Sequence, residues 1–269
     1  MSAVYEFIAG ESPLLVSMPH NGIEIPPVIA DTMHDYARLS PDTDWRLDEL
    51  YDFAPELGAS VLVARASRYV VDLNRNPAGE PLYAGADNTE LCPTTTFDRL
   101  PVYMSAVPDK NEQSARVDAF WQPYHQRLAR ELDALRRRFG YAVLLDAHSI
   151  APEVPRFFDG RLPDFNLGTN SGRSCAPSVT RSAERALDRF EAFSRVTDAR
   201  FKGGYITRHY GQPDKGIHAI QLELSQRTYL ADDGLGALDP DRASEVRPAL
   251  RALVSALIAV DIARPEADA

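Results

Sequence analysis

The chain has 269 residues, of which 44% are hydrophobic, and 39 acidic against 29 basic side chains give it a formal net charge of -10. That size and core fraction suit one large α/β domain, while the acidity excludes a general attraction to nucleic acid or anionic lipid, so an anionic substrate would need a local basic pocket. Cys92 and Cys175, outside any CxxC spacing, exclude a disulfide framework, and the longest apolar run, Ala252 to Val260, is interrupted by Ser255 and too short to span a bilayer.

The first residues, Met1 to Glu6, have neither a basic nor a long apolar leader pattern, so the expected setting is soluble and cytoplasmic. Short apolar runs bounded by turn formers predict strands at Leu14 to Met18, Ser60 to Ala64, Arg68 to Leu73, Ala142 to Asp146 and Ile217 to Leu224. Between them, Asp42 is expected to cap a helix running to about Leu57. From Asn76 to Asp109 prolines cluster and periodicity fades, which predicts a long functional loop. An amphipathic helix follows from Asn111 to Phe139, with a kink expected at Pro123. Two more amphipathic segments lie at Val179 to Phe193 and Ala243 to Ile262. Alternation of this kind predicts a mixed α/β sheet with helices on both faces, and the lack of linkers or repeats predicts a single domain over 1–269.

Two histidines sit where apolar runs give way to polar loops: His20, in Ser17-Met18-Pro19-His20-Asn21-Gly22, and His148, in Leu145-Asp146-Ala147-His148-Ser149. Catalytic groups of open α/β sheets gather at such strand ends, and two histidines with one carboxylate form a common hydrolytic zinc site. Cobalt, manganese, nickel or iron also accept that ligand set. Two carboxylates compete for the third position. Asp44 opens the following helical pattern and is preferred; Glu24, four residues after His20, is separated from helical geometry by Gly22 and Pro26. Asp146 is expected to orient its neighbour His148 from behind. His34 and His125 fall within helical patterns and are expected on solvated faces.

Arg68 and Arg75 bracket a β-rich run, and Asn74-Arg75 beside a proline offers an amide and a guanidinium fork matched to a substrate carboxylate. Arg208 follows the pair Gly203-Gly204, which suits a mobile loop that closes over a ligand. Glu223 shares one side of an alternating strand with Gln221 and Ser225. A carboxylate near a strand end in such a sheet suits the role of general base in hydrolysis.

The segments Pro19-His20-Asn21-Gly22 with Glu24-Ile25-Pro26, Asp42-Thr43-Asp44-Trp45, Asp72-Leu73-Asn74-Arg75, Asp146-Ala147-His148-Ser149, Asn166-Leu167-Gly168-Thr169 and Leu222-Glu223-Leu224-Ser225-Gln226 resemble, in their order and spread, the N-formylglutamate amidohydrolase family. Thr207-Arg208-His209-Tyr210-Gly211 and Gln226-Arg227-Thr228-Tyr229 resemble the branch of it that serves histidine degradation. The likeness runs from about residue 10 to 260. It implies kinship with zinc carboxypeptidases and the aspartoacylase group, hence a phosphorylase/hydrolase-like three-layer α/β/α fold. It also implies His20 and His148 as zinc ligands, Asn74-Arg75 as the carboxylate clamp, Arg68 as polariser of the scissile carbonyl or second clamp, and Glu223 as base. The chain departs from those relatives' His-x-x-Glu pair, because position 23 is Ile23.

The implied reaction is metal-dependent hydrolysis of N-formyl-L-glutamate to L-glutamate and formate, the last step of a histidine degradation pathway. The expected partner is therefore a small molecule, with neither nucleic acid nor membrane. A related amidohydrolase for acetyl or succinyl substrates, and a non-catalytic binding protein on the same scaffold, are the alternatives.

Overall fold

The computed structural model describes residues 3–82, 85, 87–232, 234 and 236–262. Within them a seven-stranded sheet is formed by β1 (Tyr5–Ile8), β2 (Leu14–Met18), β3 (Ser60–Ala64), β4 (Ala142–Ile150), β5 (Phe165–Gly168), β6 (Arg195–Thr197) and β7 (Ile217–Ser225), in the order β1-β3-β2-β4-β7-β5-β6. The centre, β3-β2-β4-β7, is parallel; β1 joins β3 and β5 joins β7 antiparallel, and β6 runs parallel to β5. The helices are α1 (Pro27–Ala30), α2 (Asp35–Arg38), α3 (Leu47–Leu50), α4 (Lys110–Arg116), α5 (Gln122–Phe139), α6 (Pro177–Leu187), α7 (Tyr205–Tyr210) and α8 (Pro240–Ile258).

Alternation along the central strands sends side chains into two cores. Val143, Leu145, Ala147, Ile220 and Leu222 pack with α6 and α8 through Val179, Ala183, Leu250 and Leu253. Ala142, Leu144 and Ala219 face the other way, toward Leu128, Leu132 and Leu135 of α5 and Ile206 of α7. The result is a three-layer α/β/α arrangement around a mixed sheet. None of the helices is long and apolar enough to cross a membrane among the described residues.

Several elements differ from the sequence expectation for identifiable reasons. Arg68 to Leu73 is a succession of turns rather than a strand. Its Tyr69-Val70-Val71 run is buried, as in a strand, but its carbonyls are met by a side chain: the Arg116 guanidinium donates to the Val70 carbonyl at 3.1 Å. The helix expected after Asp42 is reduced to α3 and a 3-10 turn at Pro55–Leu57, because Arg46 adopts φ 56° immediately before it. The Asp42 carboxylate caps nothing there; it accepts from the Tyr69 hydroxyl and the Phe97 amide. The kink expected at Pro123 takes the form of a π-helical segment, Val117–Trp121, between α4 and α5, with the Gln122 amide donating to the Val117 carbonyl. His125 is buried rather than solvated, with both ring nitrogens bonded. Of the long loop expected from Asn76 to Asp109, residues 83, 84 and 86 lie outside the described residues.

Candidate metal centre and active site

Along the α5 face of the central strands, side chains change from apolar to polar as the chain runs toward the carboxyl ends. On β4, Ala142 and Leu144 are followed on the same face by Asp146 and His148; on β7, Ala219 is followed by Gln221 and Glu223. Parallel register sets Asp146 beside Gln221 and His148 beside Glu223. His20 lies two residues beyond the end of β2, next to β4 in the sheet. The backbone returns there, since the Asp44 amide donates to the His20 carbonyl at 3.0 Å.

His20, Asp44 and His148 converge with one potential ligand atom each, all within 4.8 Å of one another. Nδ1 of His148 lies 2.9 Å and Nδ1 of His20 3.7 Å from the same Asp44 Oδ2. The opposite ring nitrogens are each backed by a buried carboxylate: His20 Nε2 by Asp72 Oδ1 at 2.7 Å, His148 Nε2 by Asp146 Oδ1 at 3.0 Å. A carboxylate behind Nε2 would hold the proton on that nitrogen when a cation takes the Nδ1 lone pair, the arrangement that metal-ligating histidines require. All of these groups are buried.

Electrostatics favour a cation in this position. Burial, followed by the nearby Arg68 charge, lowers the His20 pKa and keeps its ring neutral. Burial also opposes a charge on His148, but Asp146 and Asp44 at its two nitrogens outweigh it and raise its pKa well above the usual imidazole value. His20, Asp44 and His148 are the residues that would hold a divalent cation, and its charge would take the place of that proton. Glu223 is pushed up to about 8, first by burial and then by Asp44 and Asp146, against the pull of His148 and Arg68.

His20, Asp44, His148 and Glu223 line one cavity of about 80 Å³, with Arg68, Asn74, Arg75, Arg200, Phe97 and Phe157 among its other walls. By volume it holds a few water-sized groups and so suits a small molecule. Arg68 donates to Asp72 Oδ2 at 2.7 Å and lies over the Phe97 ring, 5.0 Å from its centroid. Burial works against its charge, yet Asp72, Asp44 and Asp42 raise its pKa further. Asn74 is fixed by the Ile206 amide, which donates to its Oδ1 at 2.7 Å, and its Nδ2 lies 2.9 Å from His148 Nε2. It packs so closely on Gly204 that a Cβ there would lie 2.2 Å from Asn74 Nδ2. Arg75 donates to the Thr89 carbonyl at 2.9 Å and the Thr89 hydroxyl at 2.6 Å.

Two of the sequence candidates lie elsewhere. Glu24 is paired with Arg65, with Nη2 to Oε1 at 2.6 Å and 40% of its side chain exposed, and does not line the cavity. Arg208 donates to the carbonyls of Gly203 at 2.8 Å and Leu82 at 3.1 Å, behind the cavity wall. The glycine-flanked segment expected as a lid is joined to the site from inside. The Gly204 amide donates to Gln221 Oε1, and the Thr207 hydroxyl to Asp146 Oδ2, at 2.7 and 2.9 Å.

The family model for N-formylglutamate amidohydrolase matches residues 12–230. The chain belongs to the N-formylglutamate amidohydrolase family. A protein named N-formylglutamate deformylase from Pseudomonas aeruginosa is 48% identical over 260 residues, covering 96% of this chain and 97% of that one. Its namesake from Pseudomonas putida is 46% identical over the same shares. The crystal structure of an N-formylglutamate amidohydrolase from Ralstonia eutropha, at 24% identity, superposes with a TM-score of 0.78 over 94% of this chain and 96% of that one, which shows a common fold.

In this member of the N-formylglutamate amidohydrolase family, three residues at the site carry little sequence signal. Asp72 backs His20 and simultaneously receives Arg68, but its sequence position reads as part of a strand. Arg200 lines the cavity from an aperiodic loop, where its Nε donates to the Phe157 carbonyl. Thr207 backs Asp146 from α7, in a segment whose sequence shows a resemblance but no role for the threonine. The partial signal was available for Gln221, which alternation puts on the Glu223 side of β7.

Proposed function

We propose that this chain hydrolyses N-formyl-L-glutamate to L-glutamate and formate with the help of a divalent metal, zinc by its ligand chemistry, as the last step of a histidine degradation pathway. The observation that carries the reading is the convergence of His20, Asp44 and His148 in a cavity that Glu223 and three arginines also line. Family membership and the names of its relatives support the same substrate.

His20 Nδ1, His148 Nδ1 and an Asp44 oxygen would hold the ion. When bound, it supplies Lewis acidity toward the formyl oxygen and the attacking water. Glu223 accepts the water's proton as its oxygen attacks the formyl carbon. The C–N bond then breaks, Glu223 returns the proton to the departing amine, and formate takes the oxygen. A carboxyl group whose pKa is raised by burial suits both halves of this transfer, and general acid–base catalysis contributes roughly a hundredfold to ten-thousandfold. Arg68, held charged by Asp72, faces the negative charge that builds on the formyl oxygen. Asn74 and Arg75 grip one substrate carboxylate, and Arg200, which lines the cavity where Arg208 does not, answers the other. Two carboxylates held in this way orient the formamide for attack.

The test is release of L-glutamate from its N-formyl, N-acetyl and N-succinyl derivatives. N-formylglutamate is expected to have a kcat/KM at least about a hundredfold above the others, since a larger acyl group would have to displace the walls of a cavity of about 80 Å³. Equal or better turnover of the acetyl or succinyl compound would overturn the substrate assignment.

A further inference from the structure

Asn74 and Arg75 lie in a turn rather than a strand, so no sheet ladder fixes their backbone. Asp72 holds their amides, its Oδ1 accepting from the Asn74 N–H at 2.8 Å and its carbonyl from the Arg75 N–H at 3.2 Å, and two ring N–H groups from one helical segment hold the carbonyls at either end of the pair. Trp121 Nε1 donates to the Arg75 carbonyl at 3.1 Å, and His125 Nε2 lies 2.8 Å from the Leu73 carbonyl. A carbonyl oxygen only accepts, so His125 carries its proton on Nε2, and its Nδ1 receives the Tyr210 hydroxyl at 2.9 Å. Burial pushes the His125 pKa down to about 3, which keeps this neutral tautomer across the physiological range.

Trp121 and His125 are four residues apart and stacked face to face, with centroids 3.6 Å apart and planes at 15°. Trp121 ends the π-helical segment, and Pro123 follows within the first turn of α5. Trp121 and His125, which have no part in the chemistry, thus meet the carbonyls at the two ends of the Asn74-Arg75 pair. On the far side, Tyr210 stacks on His125 at 5.8 Å and belongs to α7, whose Ile206 amide holds the Asn74 side chain.

We infer that Trp121 and His125 are positioning residues for the substrate-carboxylate clamp, fixing the peptide plane before Asn74 and the one after Arg75 so that the Asn74 amide and Arg75 guanidinium are preorganised for a dicarboxylate. This rests on the clamp role of Asn74 and Arg75 proposed above. Preorganisation of this kind serves ground state and transition state alike, so its loss raises KM and leaves kcat in place.

The experiment compares W121F, H125F, H125Q and R75K in the full-length protein for kcat, KM, thermal midpoint, and the inhibition constant of glutarate, a dicarboxylate with no formamide. W121F, which keeps an aromatic ring but loses the N–H donor, is expected to raise both KM and the glutarate constant about five- to tenfold with kcat within twofold, the size expected for one buried hydrogen bond. H125F does the same or more, and H125Q, whose side-chain amide restores a donor, recovers most of the loss. If R75K raises KM while W121F and H125F only lower the thermal midpoint and leave KM and glutarate binding unchanged, the positioning role is overturned and the clamp stands. If R75K also leaves KM and glutarate binding unchanged, the clamp reading falls and the positioning role with it.

Discussion

Opposite walls of the cavity are built from different materials. One consists of the carboxyl ends of β4 and β7 and the chain just beyond β2, where His148 and Glu223 are locked in register and His20 is tied to Asp44 by the backbone. The other comes from three loops, which contribute Asp87 and Phe97, Phe157, and Arg200 and Phe201. Among the described residues, side chains join the loops to one another. Arg156 donates to Asp87 Oδ1 at 2.9 Å and to the Thr96 carbonyl at 2.7 Å, and Phe97 meets Phe157 edge-on at 4.9 Å. In the proposed reaction the sheet wall carries the groups for bond breaking, which need fixed geometry, and the loop wall encloses the substrate. Damage to the first is expected to appear in kcat and damage to the second in KM.

The largest effect is expected on the sheet wall. Glu223→Gln keeps the shape of the side chain and removes its proton-accepting oxygen, so kcat is expected to fall by about a thousandfold with little change in KM. The base works only when ionised, so kcat/KM of the parent is expected to rise with pH through the Glu223 pKa. That pKa is about 8 in the protein's own field and lower once a cation sits beside it. A pH–rate profile that keeps the same acid limb in the Gln variant would remove Glu223 from the assignment.

A smaller effect is expected on the loop wall. Arg156 is 5% exposed and joins two of the loops, so Arg156→Ala removes the donor to the Thr96 carbonyl and leaves Asp87 to its pair with Arg99. Roughly a tenfold rise in KM is expected, with kcat within a few-fold, measurable by steady-state kinetics. A kcat loss as deep as that of Glu223→Gln would erase the distinction between the walls.

The smallest effect is expected outside both walls. Glu24 pairs with Arg65 near the surface, and exposed pairs of this kind contribute at most about 1 kcal/mol. Glu24→Gln is expected to leave kcat and KM within twofold and to change stability by less than about 1 kcal/mol in a denaturant titration. A large activity loss there would return Glu24 to the list of ligands.

The same division explains what was legible in the sequence. Leu14 to Met18, Ser60 to Ala64 and Ala142 to Asp146 read as strands because central parallel strands are covered on both faces and present nearly unbroken apolar runs, and Ile217 to Leu224 because Ile220, Leu222 and Leu224 alternate with Gln221 and Glu223. His20, His148 and Glu223 stood out because each lies where such a run turns polar. The short outer strands β1, β5 and β6 have three or four residues and mixed composition, and show no comparable run. Tyr69 to Val71 gave a false strand, since burial against Arg116 imitates burial in a sheet. Partners separated widely along the chain left no local pattern: Asp72 reaches His20 across 52 residues and Thr207 reaches Asp146 across 61. His125 was misjudged because helical periodicity reports the face a residue occupies but not the carbonyl of Leu73 waiting there.

The central claim is that His20, Asp44 and His148 hold a catalytic divalent ion for hydrolysis of N-formyl-L-glutamate. The direct test is glutamate release by the purified chain before and after removal of metal with a chelator, followed by titration with zinc. The account predicts loss of turnover on chelation and recovery that saturates at one zinc per chain, with no recovery in His148→Asn. Full turnover in protein shown by elemental analysis to contain no metal would contradict it.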